Sequence, residues 1–298
     1  MDNRDAADTT VWRQRLGRAG VWIFAGALDE DPPAFAKLVE RLGYTALWLG
    51  GGNPQASDFS RIGAVLSATE RLVVATGITN IWAWEPKELA TQSARLSAAF
   101  PGRFVLGLGV SHAPLVEQLG RRYEHPYAAM VEYLDALDRE VGDGPPRVLA
   151  ALGSRMLRLS ATRAAGAHPY LTTPEHTRIA RGALGNAAFL APEQALVLAD
   201  DPDAARKIGR AYLERYLRLP NYTTNLQRLG WSNSDIEHGG SDALVDALVV
   251  HGSASDVSAA VRAHLDAGAD HVCVQPLAPG GAIDWRALEV LAPLLTGT

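Results

Sequence analysis

Eight short apolar runs recur along this chain, each ending near a Gly, Pro or hydroxyl-bearing residue and each followed by a helical pattern. They are Val21–Ala25, Ala46–Leu49, Leu72–Gly77, Phe104–Gly109, Arg147–Leu152, His168–Leu171, Gln194–Ala199 and His271–Gln275. Between them the spacing predicts helices over Pro32–Leu42, Ser57–Thr69, Pro86 to Phe100, Tyr127–Glu140 and Ser154–Ala165. Others are predicted from Pro174, from Pro202 to Leu217, in pieces between Pro220 and Ala267, and over Trp285–Leu295. The first is framed by Asp31 as a cap, Pro32 in its first turn and Gly43 beyond its end. Strands that alternate with helices pair in parallel, because a parallel neighbour is reached only through a crossover. Eight such units are the count of a closed (β/α)8 TIM barrel, with an open doubly wound sheet as the alternative. No linker divides the chain, so the expectation is a loose N-terminal arm over 1–20 and one barrel domain over 21–298. The extra length near 112–126 and 218–250 reads as insertions beside the barrel mouth.

Composition narrows the function classes. With 298 residues, 47% hydrophobic and 20% charged, the chain can bury a large core. Its net charge of −5 and lack of a Lys/Arg block argue against nucleic acid as a partner. No apolar run reaches the roughly 18 residues of a membrane span. The first twenty residues carry Arg13, Arg15 and Arg18 but no apolar core, unlike a secretory signal. The expectation is a cytoplasmic protein acting on a small molecule. The one cysteine, Cys273, excludes an internal disulfide and lies within a strand run, where it reads as core. No H-E-x-x-H, carboxylate set or G-x-S-x-G is present, so neither a metal nor a serine nucleophile is expected.

In a barrel of this kind the chemistry sits past the C-terminal ends of the strands. That rule selects Ala25-Gly26, Gly50 to Asn53, Gly77 to Asn80 with Trp82 and Trp84, Val110-Ser111-His112, Gly153 to Met156, Thr172-Thr173, and Gln275-Pro276. Gly153-Ser154 opens a helix directly after a strand, and the free N–H groups and positive end of such a helix favour an anion. Thr172 and Thr173 open the next helix through Pro174 and can donate to the same anion; plain capping is the other reading of both. His112 suits a general acid or a ligand contact, or a surface residue. Trp82 and Trp84 either wall a flat ring or pack an interface. Arg121-Arg122 reads as a solvated pair, or as a cation pair presented at the mouth. GLGVSH lacks the third glycine of a dinucleotide fingerprint, and its glycines read as room inside a narrow barrel.

The segments TGITN, RLSAAFPGRFVLGLGVSH, ALGSRMLRLSATRAAGAHPYLTTPEH and LDAGADHVCVQPL, in that order and spacing, resemble the bacterial luciferase-like family of flavin and deazaflavin oxidoreductases. Within it the chain looks closest to the branch using coenzyme F420. The resemblance implies a barrel with a flat tricyclic cofactor at its mouth and a non-proline cis peptide at Gly77-Ile78. It places Gly77, Ile78, Thr79, Asn80 and Val110 beside the cofactor. It puts Gly153, Ser154, Arg155 and Met156, through main-chain N–H, and Thr172 and Thr173 on its phosphate. It implies hydride exchange between F420 and a small organic substrate, in a homodimer built through helices near strands two and three. An FMN-dependent monooxygenase, or a barrel without catalysis serving as a binding subunit, are the alternatives. The family's deazaflavin-dependent sugar-phosphate dehydrogenases carry a His after strand two and a Glu after strand four. Here Gly50-Gly51-Gly52 and Val110 stand at those places, so that activity is not implied; either another group handles the proton, with His112 the nearest candidate, or the substrate anion takes its proton from water.

Overall fold

The computed structural model describes residues 11–28, 31–51, 58–140 and 144–297. Eleven strands form one curled parallel sheet. They are β1 (Ala19–Phe24), β2 (Ala46–Gly50), β3 (Val73–Thr76), β4 (Thr79–Asn80), β5 (Phe104–Gly109), β6 (Arg147–Leu149), β7 (Gly166–Ala167), β8 (Phe189–Leu190), β9 (Glu193–Leu198), β10 (Val249–Gly252) and β11 (Val272–Pro276). The order is β10-β9-β11-β1-β2-β3-β5-β6-β7-β8, with β4 also on β5. One end of this path, β8, and the strand next to the other end, β9, belong to one stretch of chain: β8 pairs with β7, while β9 lies between β11 and β10. Helices follow the strands, as the alternation requires.

Each strand presents one residue in two to either face. Val21, Ile23, Leu47, Leu49, Val74, Leu106 and Val274 pack outward against helical residues such as Ala36, Val39, Ile62 and Leu291. Trp22, Ala46, Trp48, Ala75, Val105, Val148, Phe189, Ala191 and Cys273 form the separate inner cluster. Joining that inner cluster are Trp12 and Leu16. Residues 11–16 are therefore helical and packed on the sheet rather than a loose arm. Arg13 fastens them, donating from Nη2 to Asn186 O at 2.7 Å and facing Asp270 Oδ1 at 2.9 Å. The part of the expected arm before residue 11 lies outside the described residues, as do Gly52, Asn53 and Ser57.

Several strands depart from the sequence reading: the fifth run is strand only over Arg147–Leu149, and Phe189–Leu190 is a short strand where none was expected. The third is interrupted: Ala75 pairs with Val105, but Thr79 pairs with Leu108, so one extra residue is accommodated between them. That is a β-bulge, and it carries a cis peptide at Gly77-Ile78. Thr76 bridges the gap, donating to Gly107 O at 2.8 Å and accepting from Gly107 N at 2.9 Å. The sixth run is strand only over Gly166–Ala167, ahead of the expected His168–Leu171. Pro169 has no N–H to offer a ladder, and Leu171 sits at φ 57. Finally, Val249–Gly252 is an added strand where helix was expected.

Candidate functional site

The inner face of the sheet changes character toward the C-terminal ends of its strands. Inward positions of β2, β3 and β5 end in Gly50, Gly77 and Gly109. A Cβ at Gly50 would lie 1.8 Å from the Trp22 ring, and one at Gly77 would lie 2.6 Å from Trp22 Nε1. One at Gly109 would meet Ile78 Cδ1 at 2.5 Å. These glycines therefore make room for Trp22 and for the bulge itself. The opposite side is aromatic. Tyr170 lies 4.9 Å from Trp22 and 5.5 Å from Tyr216, and Tyr222 lies 5.4 Å from both Tyr216 and His112. The Tyr170 hydroxyl donates to Gln275 Oε1 at 2.9 Å and accepts from Tyr212 at 2.8 Å. Arg215 rests over the Phe24 ring at 4.5 Å.

The anion position predicted after strand five lies at an uncapped helix start. Several helices open on a side-chain cap, with Asp31, Asp201, Ser253 and Asp284 each accepting a first-turn amide, while Pro86–Ala99, Ala113–Glu117 and Pro220–Arg228 open without one. The helix Ser154–Arg163 opens on Gly153, with no side-chain cap. Its first N–H groups are left to an outside acceptor. Arg228 Nη1 stands 3.4 Å from where a Gly153 Cβ would be. A guanidinium beside the positive end of a helix is unfavourable unless an anion lies between them. Arg155, in the same first turn, stacks its guanidinium on Tyr127 at 4.1 Å. The neighbouring helix Pro174–Leu184 is capped by Thr173, whose hydroxyl accepts from His176 N at 3.4 Å. His176 Nε2 meets Leu152 O at 2.9 Å, tying the two helix starts together.

Unpartnered polar atoms mark the same region. Among the described residues, the buried side-chain atoms without a hydrogen bond include Trp22 Nε1, Asn80 Nδ2, Trp84 Nε1, Ser111 Oγ and His112 Nδ1. They also include His168 Nε2, Thr172 Oγ1, His176 Nδ1 and Glu193 Oε1. Native chains leave few such atoms, and these gather at or near the strand ends. His112 is kept neutral by burial, which lowers its pKa, with Asn221 beside it opposing the shift. Burial likewise lowers His176 and brings the stacked partner of Trp48, His168, down to about 4.

The structure thus groups Gly77, Ile78, Thr79, Asn80, Val110 and His112 on the β3–β5 ends. It groups Gly153, Ser154, Arg155, Met156, Thr172 and Thr173 on the neighbouring β6–β7 ends. The helix Pro220–Arg228 spans both, touching His112 through Tyr222 and Gly153 through Arg228. Trp82 gives its Nε1–H to Val110 O at 2.9 Å, and Trp84 packs edge-on to Phe59. Arg121 pairs with Glu85 at 2.7 Å and Arg122 with Glu124 at 3.6 Å, as a solvated pair would. Cys273 is buried. Sequence reasoning missed Glu193, Arg228 and the tyrosines Tyr212, Tyr216 and Tyr222. Glu193 carried one readable signal, a carboxylate inside an otherwise apolar strand run.

Comparison with known proteins places this geometry. The chain superposes on the coenzyme F420-dependent tetrahydromethanopterin reductase of Methanopyrus kandleri with a TM-score of 0.75 at 17% identity, covering 94% of this chain and 98% of that one. It superposes on an F420-dependent secondary alcohol dehydrogenase, solved with an F420–acetone adduct, with a TM-score of 0.72 at 14% identity, covering 93% and 97%. The FMN-bound oxygenating constituent of the Pseudomonas putida 3,6-diketocamphane monooxygenase gives 0.67 at 15% identity, covering 94% and 98%. Residues 30–144 match the family model of the luciferase-like monooxygenases. The family-model match takes in the segments TGITN and RLSAAFPGRFVLGLGVSH, and over the whole chain these solved structures share the fold.

Proposed function

We propose that the chain is an oxidoreductase that holds coenzyme F420 at the carboxyl ends of its strands and exchanges hydride with a small organic substrate there. The observation that carries this reading is the bare helix start at Gly153 with Arg228 against it. A phosphate held there would take main-chain N–H groups from Ser154, Arg155 and Met156, with Arg228 and the unpartnered hydroxyl of Thr172 as further donors. In this reading the backbone of the bulge at Gly77-Ile78 supports a ring system beside Trp22 and Tyr170. Bound in this way, a deazaflavin supplies the hydride chemistry, while the chain binds, orients and excludes water. We also read the sheet as a closed eight-stranded barrel, with Phe189–Leu198 as the strand that joins β7 to β11.

FMN carries a phosphate of the same kind, and the fold likeness extends to an FMN-bound monooxygenase. Separate fluorescence titrations of the purified protein with F420 and with FMN discriminate the two. Submicromolar binding of F420 and weak binding of FMN is the expected result. The reverse order would replace the deazaflavin with a flavin, and binding of neither would leave a barrel without this chemistry.

A further inference from the structure

The family pattern that supplies a carboxylate after the strand corresponding to β5 is broken here at Val110, yet the inner face holds another carboxyl. Glu193 is 1% exposed. Phe189 and Ala191 belong to the inner cluster, and the alternation along Phe189–Leu198 turns Glu193 inward with them. Its register partner, Cys273, belongs to that cluster too. Glu193 therefore stands in the inner layer level with Cys273, two residues short of Ala195 and Gln275 on the way to the mouth, and beside Leu171, whose N–H it accepts.

Its two oxygens have different surroundings. Oε2 accepts from Leu171 N at 3.1 Å. Oε1 is buried and has no partner. The titratable groups near enough to feel the carboxyl are Cys273 on β11, Tyr170 just past β7, Tyr212 and Tyr222 on helices, and Tyr216 in the turn between them. None of these carries a positive charge at neutral pH. A buried carboxylate with one backbone donor and no cation is costly, so the group retains its proton. Burial indeed pushes Glu193 up to about 8, against a smaller lowering by the Leu171 amide. The oxygen that accepts a backbone N–H is the carbonyl oxygen, so the proton belongs on Oε1. It is then a donor with no acceptor in the chain.

We infer that Glu193 is the internal acid of this site, offering the Oε1 proton to the ligand that fills the mouth. The inference rests on the reading above and names its proton donor. A substrate with a polarised C=O, or a C=C conjugated to one, suits it. Hydride arrives on carbon with its two electrons, the π pair moves to oxygen, and that oxygen takes the proton from Glu193. The substrate is reduced, the cofactor that supplied the hydride is oxidised, and the carboxylate regains its proton from solvent. A neutral acid spares the hydride transfer a fixed negative charge beside it, which a carboxylate would impose.

Glu193→Gln separates this role from a structural one, because the amide keeps an acceptor for Leu171 N–H and copies the neutral carboxyl in shape. In ligand-free wild-type protein at about pH 7, infrared spectroscopy is expected to show a protonated carboxyl C=O band that Glu193→Gln removes. If the variant does not fold, loss of that band in wild type between about pH 7 and about pH 9.5 reads the same group. F420 and FMN affinities are then followed by fluorescence across this range. The anionic cofactor is expected to bind wild type roughly tenfold more weakly as pH rises through about 8, while Glu193→Gln lacks that step. Absence of the band at pH 7 overturns the inference. So does tight binding with superimposable pH profiles, which leaves the cofactor reading standing. Binding of neither cofactor overturns both.

Discussion

The buried acid makes a thermodynamic claim about the ligand-free protein. Glu193 is fully buried, and its carboxyl is pushed from an ordinary value of 4.5 up to about 8. Between those values the unfolded chain has released the proton and the folded chain still holds it. The folded state then binds more protons, so stability falls as pH rises through this window and levels off above about 8. At about 1.4 kcal/mol per pH unit, the loss is roughly 3 kcal/mol at pH 7 and approaches roughly 5 kcal/mol above pH 8. Glu193→Gln carries no such proton and keeps the Leu171 contact. Its advantage over wild type should therefore be small near pH 5 and several kcal/mol near pH 8. Urea unfolding of both proteins across that range measures the difference, and the other titrating groups cancel in the comparison. A variant that tracks wild type at every pH would refute the assignment of a proton to this buried oxygen.

Further outcomes follow from other parts of the site. Gly153→Asp sets a carboxylate where the helix start and Arg228 await an anion, and should weaken F420 binding by tenfold or more in a fluorescence titration. Arg228→Ala removes one exposed cation from the same position and should cost about 1–2 kcal/mol of affinity, with a reduced salt dependence. A Cβ on Gly107 would lie 1.9 Å from Thr76 O, so Gly107→Ala must move the bulge. It should cost about 3 kcal/mol or more in thermal unfolding and loosen the cofactor. His168, His264 and His271 are each held near 4 by burial, below the ordinary 6.5. The unfolded chain takes up protons first as pH falls, so each contributes up to about 3 kcal/mol of destabilisation between pH 6.5 and pH 4. Urea midpoints over that interval read it.

Much of this was legible in the residues. Apolar runs ending at glycine marked the strands because burial on two faces leaves few other residue choices. Asp31, Pro174 and Pro202 marked helix starts because the chemistry of a first turn is local. Gly153-Ser154 stood out because it opens a helix directly after a strand; that no side chain caps that helix is visible only in the structure. What depended on register did not show. Glu193 faces inward only because Phe189–Leu198 continues one alternation across Pro192. Tyr212, Tyr216 and Tyr222 read as ordinary helix residues until their helices are laid over the mouth. Arg228 reaches Gly153 only through the path of the insertion. The N-terminal stretch looked polar because Trp12 and Leu16 are two apolar positions among charges, and their burial comes from the sheet they meet.

That N-terminal stretch also bears on how the inner face is kept from water. Trp12 and Leu16 pack into the inner cluster, and Arg13 ties the segment to Asn186 O and Asp270. The seal is thus held by polar ties at its rim as well as by the apolar residues it covers, and cutting those ties would wet the ring of Trp22 or Trp48 from that side.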